Sequence, residues 1–249
     1  MVYLRILLDT QHGFRKGRSC ATNLLKFLEY VTACLNNKDS VGVLYLDLAK
    51  AFDKVPHNRL LLKLKAHGVD GAIFHWIQAW LSDRYQRVCI EGVSSDWILV
   101  LSGVPQGSVL GELLFLIFVN DLDSNIISQV LKFADDTKLY GTVNSDADRA
   151  KLQKDLDTLS QWARTWQMAF NVEKCKVMHL GRQNVKSDYY MDGQLLQETK
   201  AERDLGIIIS DSGKVAGQCE EACLKANRML ALAGIDKEIG EVQTSEGAA

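Results

Sequence analysis

A stretch at residues 131–140 constrains the fold of this chain more than any other part of its sequence. It reads LKFADDTKLY, so two adjacent carboxylates, Asp135 and Asp136, lie between two short apolar runs. Aspartate tolerates the backbone angles of tight turns, and such a pair between two strand-like runs indicates a β-hairpin. We therefore predict two antiparallel strands that are joined at the acidic pair.

The acidic pair also has an electrostatic consequence. Two carboxylates side by side at a rigid turn repel each other unless a cation lies between them or solvent separates them. A divalent ion that prefers oxygen ligands, Mg²⁺ or Mn²⁺, suits a site of this kind. The predicted hairpin is thus also a candidate metal site.

A third carboxylate interrupts an almost wholly apolar stretch. Residues 41–48 read VGVLYLDL and predict a buried strand with Asp47 near its end. A carboxylate in such a run is costly unless it is paired or bound to a metal, and the alternative is a surface-pointing side chain at the strand end. We favour the functional interpretation. A strand-end Asp together with an acidic pair is what two-metal phosphoryl transfer requires, with carboxylates that hold two ions about 4 Å apart.

Composition narrows the class of protein. The chain has 249 residues, of which 47% are hydrophobic, and this is enough for one large domain or two small ones. No run is long and apolar enough to span a bilayer, and the N-terminal residues lack a signal-peptide cleavage pattern. The scattered cysteines form no CxxC pair, which favours reduced thiols in an intracellular protein. The formal net charge is −2, whereas proteins that bind nucleic acid are usually basic, so any such binding would depend on local basic patches.

The rest of the pattern mixes helices with short strands. Neighbouring strands indicate antiparallel pairing with helices packed on one side, which is an α+β architecture. A Gly- and Pro-rich turn, SGVPQG at residues 102–107, precedes one helix and offers backbone N–H groups to an anion, although many such turns bind nothing. Helices are predicted at residues 19–37, 57–66, 72–81, 108–122, 145–169 and 214–232, and further strands at residues 85–91, 97–101, 175–180 and 205–209. Asp192 and Gly193 predict the turn of another hairpin, between Tyr190 and Leu195.

Six motifs occur in a fixed order along the chain. They are QHGFRKGRSCATNLL, YLDLAKAFDKVPH, SGVPQGSVLG with LLFLIFVNDL, FADDTKLY, WQMAFNVEKCKVMHLG and DLGIIIS. Together they resemble the reverse transcriptase domain of non-LTR (LINE-type, jockey-like) retrotransposons. A lone Asp-Asp pair would mean little, whereas this ordered set is specific and covers most of the chain, from about residue 11 to residue 232.

The resemblance implies a polymerase palm with an antiparallel sheet and packed helices, partial fingers and a largely missing thumb. It implies that Asp47, Asp135 and Asp136 are the catalytic, metal-binding residues, with Asp136 contributing less to the metal than Asp135. Two Mg²⁺ ions, or Mn²⁺ in their place, are the implied cofactors. The implied reaction adds dNTPs to the 3′-OH of a DNA primer and copies an RNA template by phosphoryl transfer.

The resemblance also implies contacts with the substrate. Phe52 matches the aromatic residue that packs under the incoming sugar and excludes a 2′-hydroxyl, and a core phenylalanine is the alternative. Gln106 and Gly107 match the turn that contacts the incoming nucleotide and the template. Lys174 matches a catalytic lysine proposed to protonate the departing pyrophosphate, and a solvated lysine at a strand start is the alternative.

A small basic cluster precedes the first predicted helix. Arg15, Lys16 and Arg18 lie where the family's fingers border the template, which implies contact with nucleic-acid phosphates. A solvated loop is the alternative. Asp53 and His57, which follow the first strand, are predicted to be structural residues that tie the turn after it.

The resemblance divides the chain into parts. It implies partial fingers at residues 1–40, a palm with inserted fingers elements at residues 41–210, and the start of a thumb-like helix at residues 211–235. Low hydrophobicity predicts a disordered tail at residues 236–249. Glu112 stands where the family usually has proline, and the chain resembles a domain truncated at both ends.

Two functions are therefore considered. The first is an RNA-directed DNA polymerase, a nucleotidyltransferase, and the alternative is an inactive retrotransposon remnant that at most binds nucleic acid. A third, an unrelated Mg²⁺-dependent cyclase or nuclease, is disfavoured by the YLDLAKAFD and VPQG segments. The resemblance implies work in the nucleus or cytoplasm and no membrane partner, and it leaves the oligomeric state open.

Overall fold

The structure, a computed structural model, describes the backbone of residues 6–244 and the side chains of residues 6–231. The described residues form two compact units, which divide between residues 199 and 200. None of the helices in the described part of the chain is long and apolar enough to cross a membrane. The helices of the first unit are α1 (Cys20–Asn36), α2 (His57–Ala66), α3 (Gly71–Leu81), α4 (Val109–Phe118) and α5 (Asp146–Trp166).

A five-stranded sheet forms the centre of the first unit. The strands of this unit are β1 (Val41–Leu46), β2 (Tyr85–Gln86), β3 (Cys89–Ile90), β4 (Val93–Ser94), β5 (Ile98–Leu99), β6 (Gln129–Phe133), β7 (Asp136–Thr142), β8 (Lys176–Leu180), β9 (Tyr190–Met191), β10 (Gln194–Leu195) and β11 (Gln197–Glu198). The sheet has the order β11-β8-β1-β7-β6, so β1 lies in its middle. All its pairs are antiparallel except β11 with β8, and the predicted antiparallel sheet is confirmed apart from that edge.

Three helices begin directly after the serine at which the sequence predicts their start. Ser19 and Ser145 form capping boxes at the starts of α1 and α5, and the Gly111 N–H donates to Ser108 Oγ at 3.0 Å at the start of α4. Local signals therefore set where these helices begin. The ends of the helices are predicted less well: α4 ends at residue 118 rather than 122, and α5 ends at residue 166 rather than 169.

Helices cover both faces of the sheet. Val43 and Tyr140 are paired and share one face, where the Phe27 ring of α1 meets Tyr140 edge-on at 5.1 Å between ring centroids. Leu44 and Leu139 are paired on the other face, in the core that includes α4 and α5. The expectation that the helices pack on one side is thus wrong, because an almost wholly apolar strand such as β1 needs cover on both faces.

The acidic pair lies at a hairpin, but the turn is shifted by one residue. Phe133 and Asp136 are paired, so the two turn residues are Ala134 and Asp135. Ala134 has a φ of 55°, in the left-handed region that two-residue hairpin turns use. The predicted hairpin is confirmed, with the correction that Asp136 is the first residue of β7 rather than a turn residue.

A narrow antiparallel ribbon lies between α3 and α4. β2 pairs with β5, and β3 pairs with β4 further out along the ribbon. The turn is at Glu91 and Gly92, whose φ angles are 49° and 84°. The predicted hairpin is confirmed with a tighter turn, because Val93 and Ser94, expected in the loop, are strand residues.

Two buried lysines lie at the C-terminal end of α4. Lys63 of α2 donates to the Phe118 carbonyl oxygen at 2.5 Å and pairs with Asp121. Lys132 of β6 pairs with Asp123 at 2.5 Å. Burial lowers the pKa of Lys63 to about 8. Since a buried ammonium needs a partner and a helix C-terminus favours positive charge, these contacts fasten α2 and β6 to the end of α4.

The Gly- and Pro-rich turn packs against the segment that follows β1. The Gly103 N–H donates to the Val55 carbonyl oxygen at 2.8 Å, and Ser102 Oγ donates to the Asp53 carbonyl oxygen at 2.8 Å. His57 Nε2 lies 2.8 Å from the Gly103 carbonyl oxygen. These bonds join two distant motifs, and they support the structural roles predicted for Asp53 and His57.

The second unit is a short hairpin followed by a helix. Its elements are β12 (Ala201–Asp204), β13 (Ile207–Ser210) and α6 (Ala216–Thr244). The two strands are antiparallel, and Arg203 forms an ion pair with Glu221 of α6. We expect disorder at residues 236–244, but the backbone there continues α6. The segment is low in hydrophobic residues, yet it contains residues such as glutamate and lysine that favour helix formation. The rest of the predicted tail, residues 245–249, lies outside the described residues.

Replacing Gly103 with alanine should destabilise the protein more than replacing Gly107. Both glycines have positive φ, 93° and 82°, which costs an alanine about 1–2 kcal/mol. At Gly103 an added Cβ would also lie 2.6 Å from the Asp53 carbonyl oxygen, whereas at Gly107 it would meet nothing within 4 Å. Denaturant unfolding should show Gly103→Ala losing at least about 1 kcal/mol more than Gly107→Ala. Equal losses of unfolding free energy in the two variants would contradict the close packing of the Gly103 turn against the segment that follows β1.

Candidate active site

One end of the large sheet brings the predicted acidic residues together. β1 ends there at Leu46, which pairs with Thr137 near the start of β7. Asp47 follows directly, and Asp135 lies in the adjoining turn between β6 and β7. β8 begins at the same end, where its first residue, Lys176, is paired with β1. Segments that are far apart in the sequence therefore meet at this end.

A cleft of about 480 Å³ opens at this end of the sheet. Asp47 and Asp135 line it together with Asn171 and Lys174, which belong to the segment that precedes β8. Gln106 of the Gly- and Pro-rich turn lines it as well. The cleft thus gathers one residue or more from four of the six motifs.

The Asp135 carboxyl is in an unfavourable electrostatic environment. Burial raises the pKa of Asp135, and the negative charge of Asp47 raises it further. A hydrogen bond from its own backbone and the Lys174 ammonium act in the opposite direction. A cation between the two carboxylates would relieve both the burial of charge and the repulsion.

Lys174 forms an ion pair with Asp47 at the edge of the cleft. Its Nζ lies 3.6 Å from Asp47 Oδ2, and 68% of its side chain is exposed. An ion pair this exposed adds little to stability. The geometry therefore places an ammonium at the mouth of the acidic cleft, and its catalytic role stays a prediction.

Phe52 is a core residue as well as a cleft residue. Its side chain is 5% exposed, and its ring stacks on Phe115 of α4 with 4.2 Å between ring centroids and 21° between ring planes. Phe52 also lines the cleft beside Asp47. Phe52 is thus packed as a core phenylalanine, which was the alternative interpretation. Because it also lines the cleft, its proposed role in excluding a 2′-hydroxyl stays a prediction.

The other predicted substrate and metal residues are exposed. Within the described residues, the lining of the cleft includes Gln106 but neither Gly107 nor Asp136. Gly107 is an exposed turn residue, and Asp136 is exposed at the start of β7. The structure therefore places Asp47 and Asp135, but not Asp136, in the lining of the cleft.

The carboxylate pair fits a hard divalent cation. No group of three or more His, Cys, Asp or Glu side chains that could hold a metal ion occurs among the described residues. Mg²⁺, however, is usually held by one or two carboxylates together with waters and substrate phosphates rather than by a complete protein cage. Asp47 and Asp135, two mutually repelling carboxylates in one cleft, provide such a donor pair.

The basic loop before α1 is largely tied to its own chain. Arg15 has a side chain that is 8% exposed, and its Nη1 donates to two carbonyl oxygens of the loop at 2.6 and 3.2 Å. Arg18 Nη2 donates to Asp9 Oδ1 at 3.1 Å, whereas Lys16 is exposed. Arg15 thus maintains the shape of the loop, and the predicted contact with phosphates depends on Lys16 and Arg18.

Several residues of the site were not singled out by the sequence. The Asn171 N–H donates to the Asp47 carbonyl oxygen at 2.8 Å, and the Asp47 N–H donates to Cys175 Sγ at 3.5 Å, so these residues fix the backbone around Asp47. Burial raises the pKa of Cys175 to about 11, which keeps its thiol neutral. Lys50 and Lys54 also line the cleft. Their position in the same sequence motif as Asp47 could have predicted that they lie near it.

Comparison with known sequences points to one family. The sequence profile described as "Reverse transcriptase (RNA-dependent DNA polymerase)" matches residues 2–214. The chain is 30% identical over 209 residues to the RNA-directed DNA polymerase from the mobile element jockey of Drosophila melanogaster, covering 80% of this chain and 23% of that protein. It is 30% identical over 213 residues to the jockey polymerase of Drosophila funebris, covering 81% and 23%. The chain thus spans less than a quarter of the length of these relatives.

Comparison with solved structures supports the same architecture. The apo telomerase of Candida tropicalis matches with a TM-score of 0.54 and 13% identity, over 81% of this chain and 41% of that chain. The telomerase of Candida albicans, solved with a fragment of telomeric RNA, matches with a TM-score of 0.51 and 13% identity, over 84% and 36%. At this identity the likeness concerns the fold alone, and it confirms the predicted α+β, palm-like architecture.

Replacing Asp135 with asparagine should stabilise the metal-free protein at neutral pH. Because the pKa of Asp135 is raised in the folded state, its ionised form weakens the fold at pH values above that pKa. Denaturant unfolding in the presence of a chelator should show a gain of about 1 kcal/mol. The gain should shrink as the pH falls through the raised pKa, where the wild-type carboxyl takes up a proton.

Asp136→Asn is the matched control, because it makes the same chemical change at the exposed neighbouring position. It should alter stability less than Asp135→Asn. A loss of stability in the Asp135 variant, or a gain that grows at acidic pH, would contradict the electrostatics described here.

Proposed function

This chain belongs to the reverse transcriptase (RNA-dependent DNA polymerase) family, and from that premise we propose that it carries the nucleotidyl-transfer site of an RNA-directed DNA polymerase. The proposed reaction adds a deoxynucleotide to the 3′-OH of a DNA primer that is paired with an RNA template. The primer 3′-oxygen forms a bond to the α-phosphorus of the dNTP, and the bond to the departing pyrophosphate breaks.

The observation that carries this proposal is the shared cleft of Asp47 and Asp135. The two carboxylates lie just beyond the ends of different strands, Asp47 after β1 and Asp135 in the turn after β6, and they repel each other across one cleft. Their donor set suits Mg²⁺, with Mn²⁺ as a substitute. Two bound Mg²⁺ ions would supply Lewis-acid activation of the primer hydroxyl and stabilisation of the leaving oxygen.

The protein's own contribution is then to position groups and to balance charge. Asp47 and Asp135 would hold the metal, with Asp136 as a lesser ligand at the start of β7. The hydrogen bond from the Asn171 N–H to the Asp47 carbonyl oxygen and the one from the Asp47 N–H to Cys175 Sγ would hold the end of β1 in place. Rigid positioning of this kind supplies a large part of catalysis in phosphoryl transfer.

Other cleft residues would select and neutralise the substrate. Phe52 is held by its stack on Phe115, so the rigid ring could limit the space beside the sugar of the incoming nucleotide. Gln106 and Gly107 would contact the nucleotide and the template from the adjoining turn. Lys174, whose ammonium faces Asp47, would donate a proton to the pyrophosphate as it leaves.

The nucleic acid would be held by segments outside the cleft. Lys16 and Arg18 are the candidates for phosphate contacts in the proposed partial fingers, residues 1–40, because Arg15 is committed to its own loop. Residues 41–210 form the proposed palm, and residues 211–235 the proposed start of a thumb helix. RNA template, DNA primer and dNTPs are the proposed partners.

Primer extension tests this proposal. The chain, supplied with an RNA template, an annealed DNA primer, dNTPs and Mg²⁺ or Mn²⁺, should add deoxynucleotides to the primer. Asp47→Asn and Asp135→Asn should each lower the rate about 100-fold or more, because each removes a carboxylate that would hold the metal ions on which stabilisation of the transition state depends. Asp157→Asn, the same change on an exposed position of α5, should leave the rate unchanged.

Two outcomes would contradict the proposal. One is extension at the wild-type rate by the Asp47→Asn, Asp135→Asn double variant, since the carboxylate pair would then be irrelevant. The other is a folded wild-type chain that makes no product with either metal ion, which would favour a remnant that at most binds nucleic acid.

A further inference from the structure

A buried glutamine lies against the turn that carries Asp135. Gln11 precedes α1 and is 1% exposed, although a basic segment with the exposed Lys16 follows it in the same loop. It does not line the cleft. A buried side-chain amide needs hydrogen-bond partners, and those of Gln11 show what it does.

The Gln11 amide is bonded to both sides of one residue of the turn. Its Oε1 accepts the Ala134 N–H at 2.9 Å, and its Nε2 donates to the Ala134 carbonyl oxygen at 3.2 Å. Oε1 also accepts the Gly13 N–H at 2.8 Å. Because two N–H groups converge on one amide atom, that atom must be the oxygen, and the orientation of the side chain is fixed by the network.

Ala134, to which Gln11 is bonded, has an unfavourable backbone conformation. Ala134 has a φ of 55°, a left-handed backbone conformation that is unfavourable for a residue with a Cβ. Asp135 follows it, and the carboxyl of Asp135 is repelled by Asp47. Both effects disfavour the observed conformation of the turn, and the two bonds from Gln11 to Ala134 stabilise it.

The backbone of the loop is built to bring Gln11 to this place. The Lys132 N–H donates to the Thr10 carbonyl oxygen, and the His12 N–H donates to the Lys132 carbonyl oxygen, both at 2.8 Å, so the loop pairs with the outer edge of β6. An added Cβ at Gly13 would lie 2.3 Å from the Ala134 nitrogen. Only glycine allows this approach without displacement of the turn.

We propose that Gln11 is a positioning residue for Asp135, which holds the β6–β7 turn so that the Asp135 carboxylate stays within the cleft opposite Asp47. This inference rests on the proposed function, because it assigns Gln11 a role in the same site. Gln11 acts through Ala134 and touches neither substrate nor metal, so it is a support for catalysis rather than a catalytic residue.

The test compares Gln11→Met with a matched control, Asn23→Leu. Methionine is similar in length to glutamine and removes both bonds to Ala134. Asn23 of α1 is also a fully buried amide, and its Nδ2 donates at 3.1 Å to the carbonyl oxygen of Lys132, two residues before Ala134 on the same chain segment. Both variants remove amide bonds from the same hairpin, but only Gln11→Met frees the turn.

Two readouts separate positioning from stability. The first is the affinity of the full chain for Mn²⁺ alone, measured by water-proton relaxation, and the second is kcat and KM in primer extension. Gln11→Met should weaken Mn²⁺ binding and lower kcat about 10- to 100-fold, the usual effect of removing a residue that orients a metal ligand. KM for the dNTP should change little. Asn23→Leu should lower the melting temperature without these losses.

Gln11→Glu is the second variant, for use if the methionine variant fails to fold. It keeps an oxygen that accepts the Ala134 N–H, and burial favours its neutral carboxyl, whose O–H can donate to the Ala134 carbonyl oxygen, so its losses should be smaller than those of Gln11→Met. Equal Mn²⁺ affinity in wild type and the Gln11 variants, or equal losses in Asn23→Leu, would overturn the inference.

The same measurements distinguish the inference from the proposed function. If the wild type binds Mn²⁺ but extends no primer, and Gln11→Met weakens that binding, the polymerase proposal fails while the role of Gln11 stands. If the wild type does not bind Mn²⁺, both are overturned.

Discussion

The antiparallel pairing of β1 with β7 is the constraint on which the whole site depends. In this register Leu46 pairs with Thr137, which sets the residue after β1 beside the turn before β7. Gly42 pairs with Gly141 further along, and an added Cβ at Gly42 would lie 3.0 Å from the Leu152 side chain of α5. A shift of one residue would move every side chain to the opposite face of the sheet. The packing of α5 and the approach of the acidic residues are therefore determined together.

The site concentrates interactions that oppose folding, and its surroundings compensate for them. Asp135 is partly buried and repelled by Asp47, and it follows a residue with a positive φ. The buried Gln11 amide holds the turn, and the Lys174 ammonium offsets part of the negative charge. Unfavourable local geometry of this kind persists where the rest of the fold fixes it, and it is characteristic of functional sites.

Local sequence patterns predict the elements of this fold better than the contacts between them. The helix that begins after Ser145 follows from a capping box and a periodic apolar stripe. Asp47 stands out because a carboxylate in an apolar run is costly unless it is paired or bound to a metal. By contrast, no local pattern predicts that Lys132 is buried, since its partners lie in another element. The bonds between Gln11 and Ala134 span 123 residues, and a glutamine in a basic loop gives no sign of them. The shift of the hairpin turn by one residue likewise depends on pairing with the neighbouring strands.

The most direct test of the carboxylate pair as a metal site is a crystal structure of the protein with Mn²⁺, in which anomalous scattering locates the ion. The structure predicts a peak in the cleft at about 2 Å from carboxylate oxygens of both Asp47 and Asp135, as expected for a hard divalent cation. A cleft without a peak at saturating Mn²⁺, or an ion bound to Asp136 with Asp47 turned away, would contradict it.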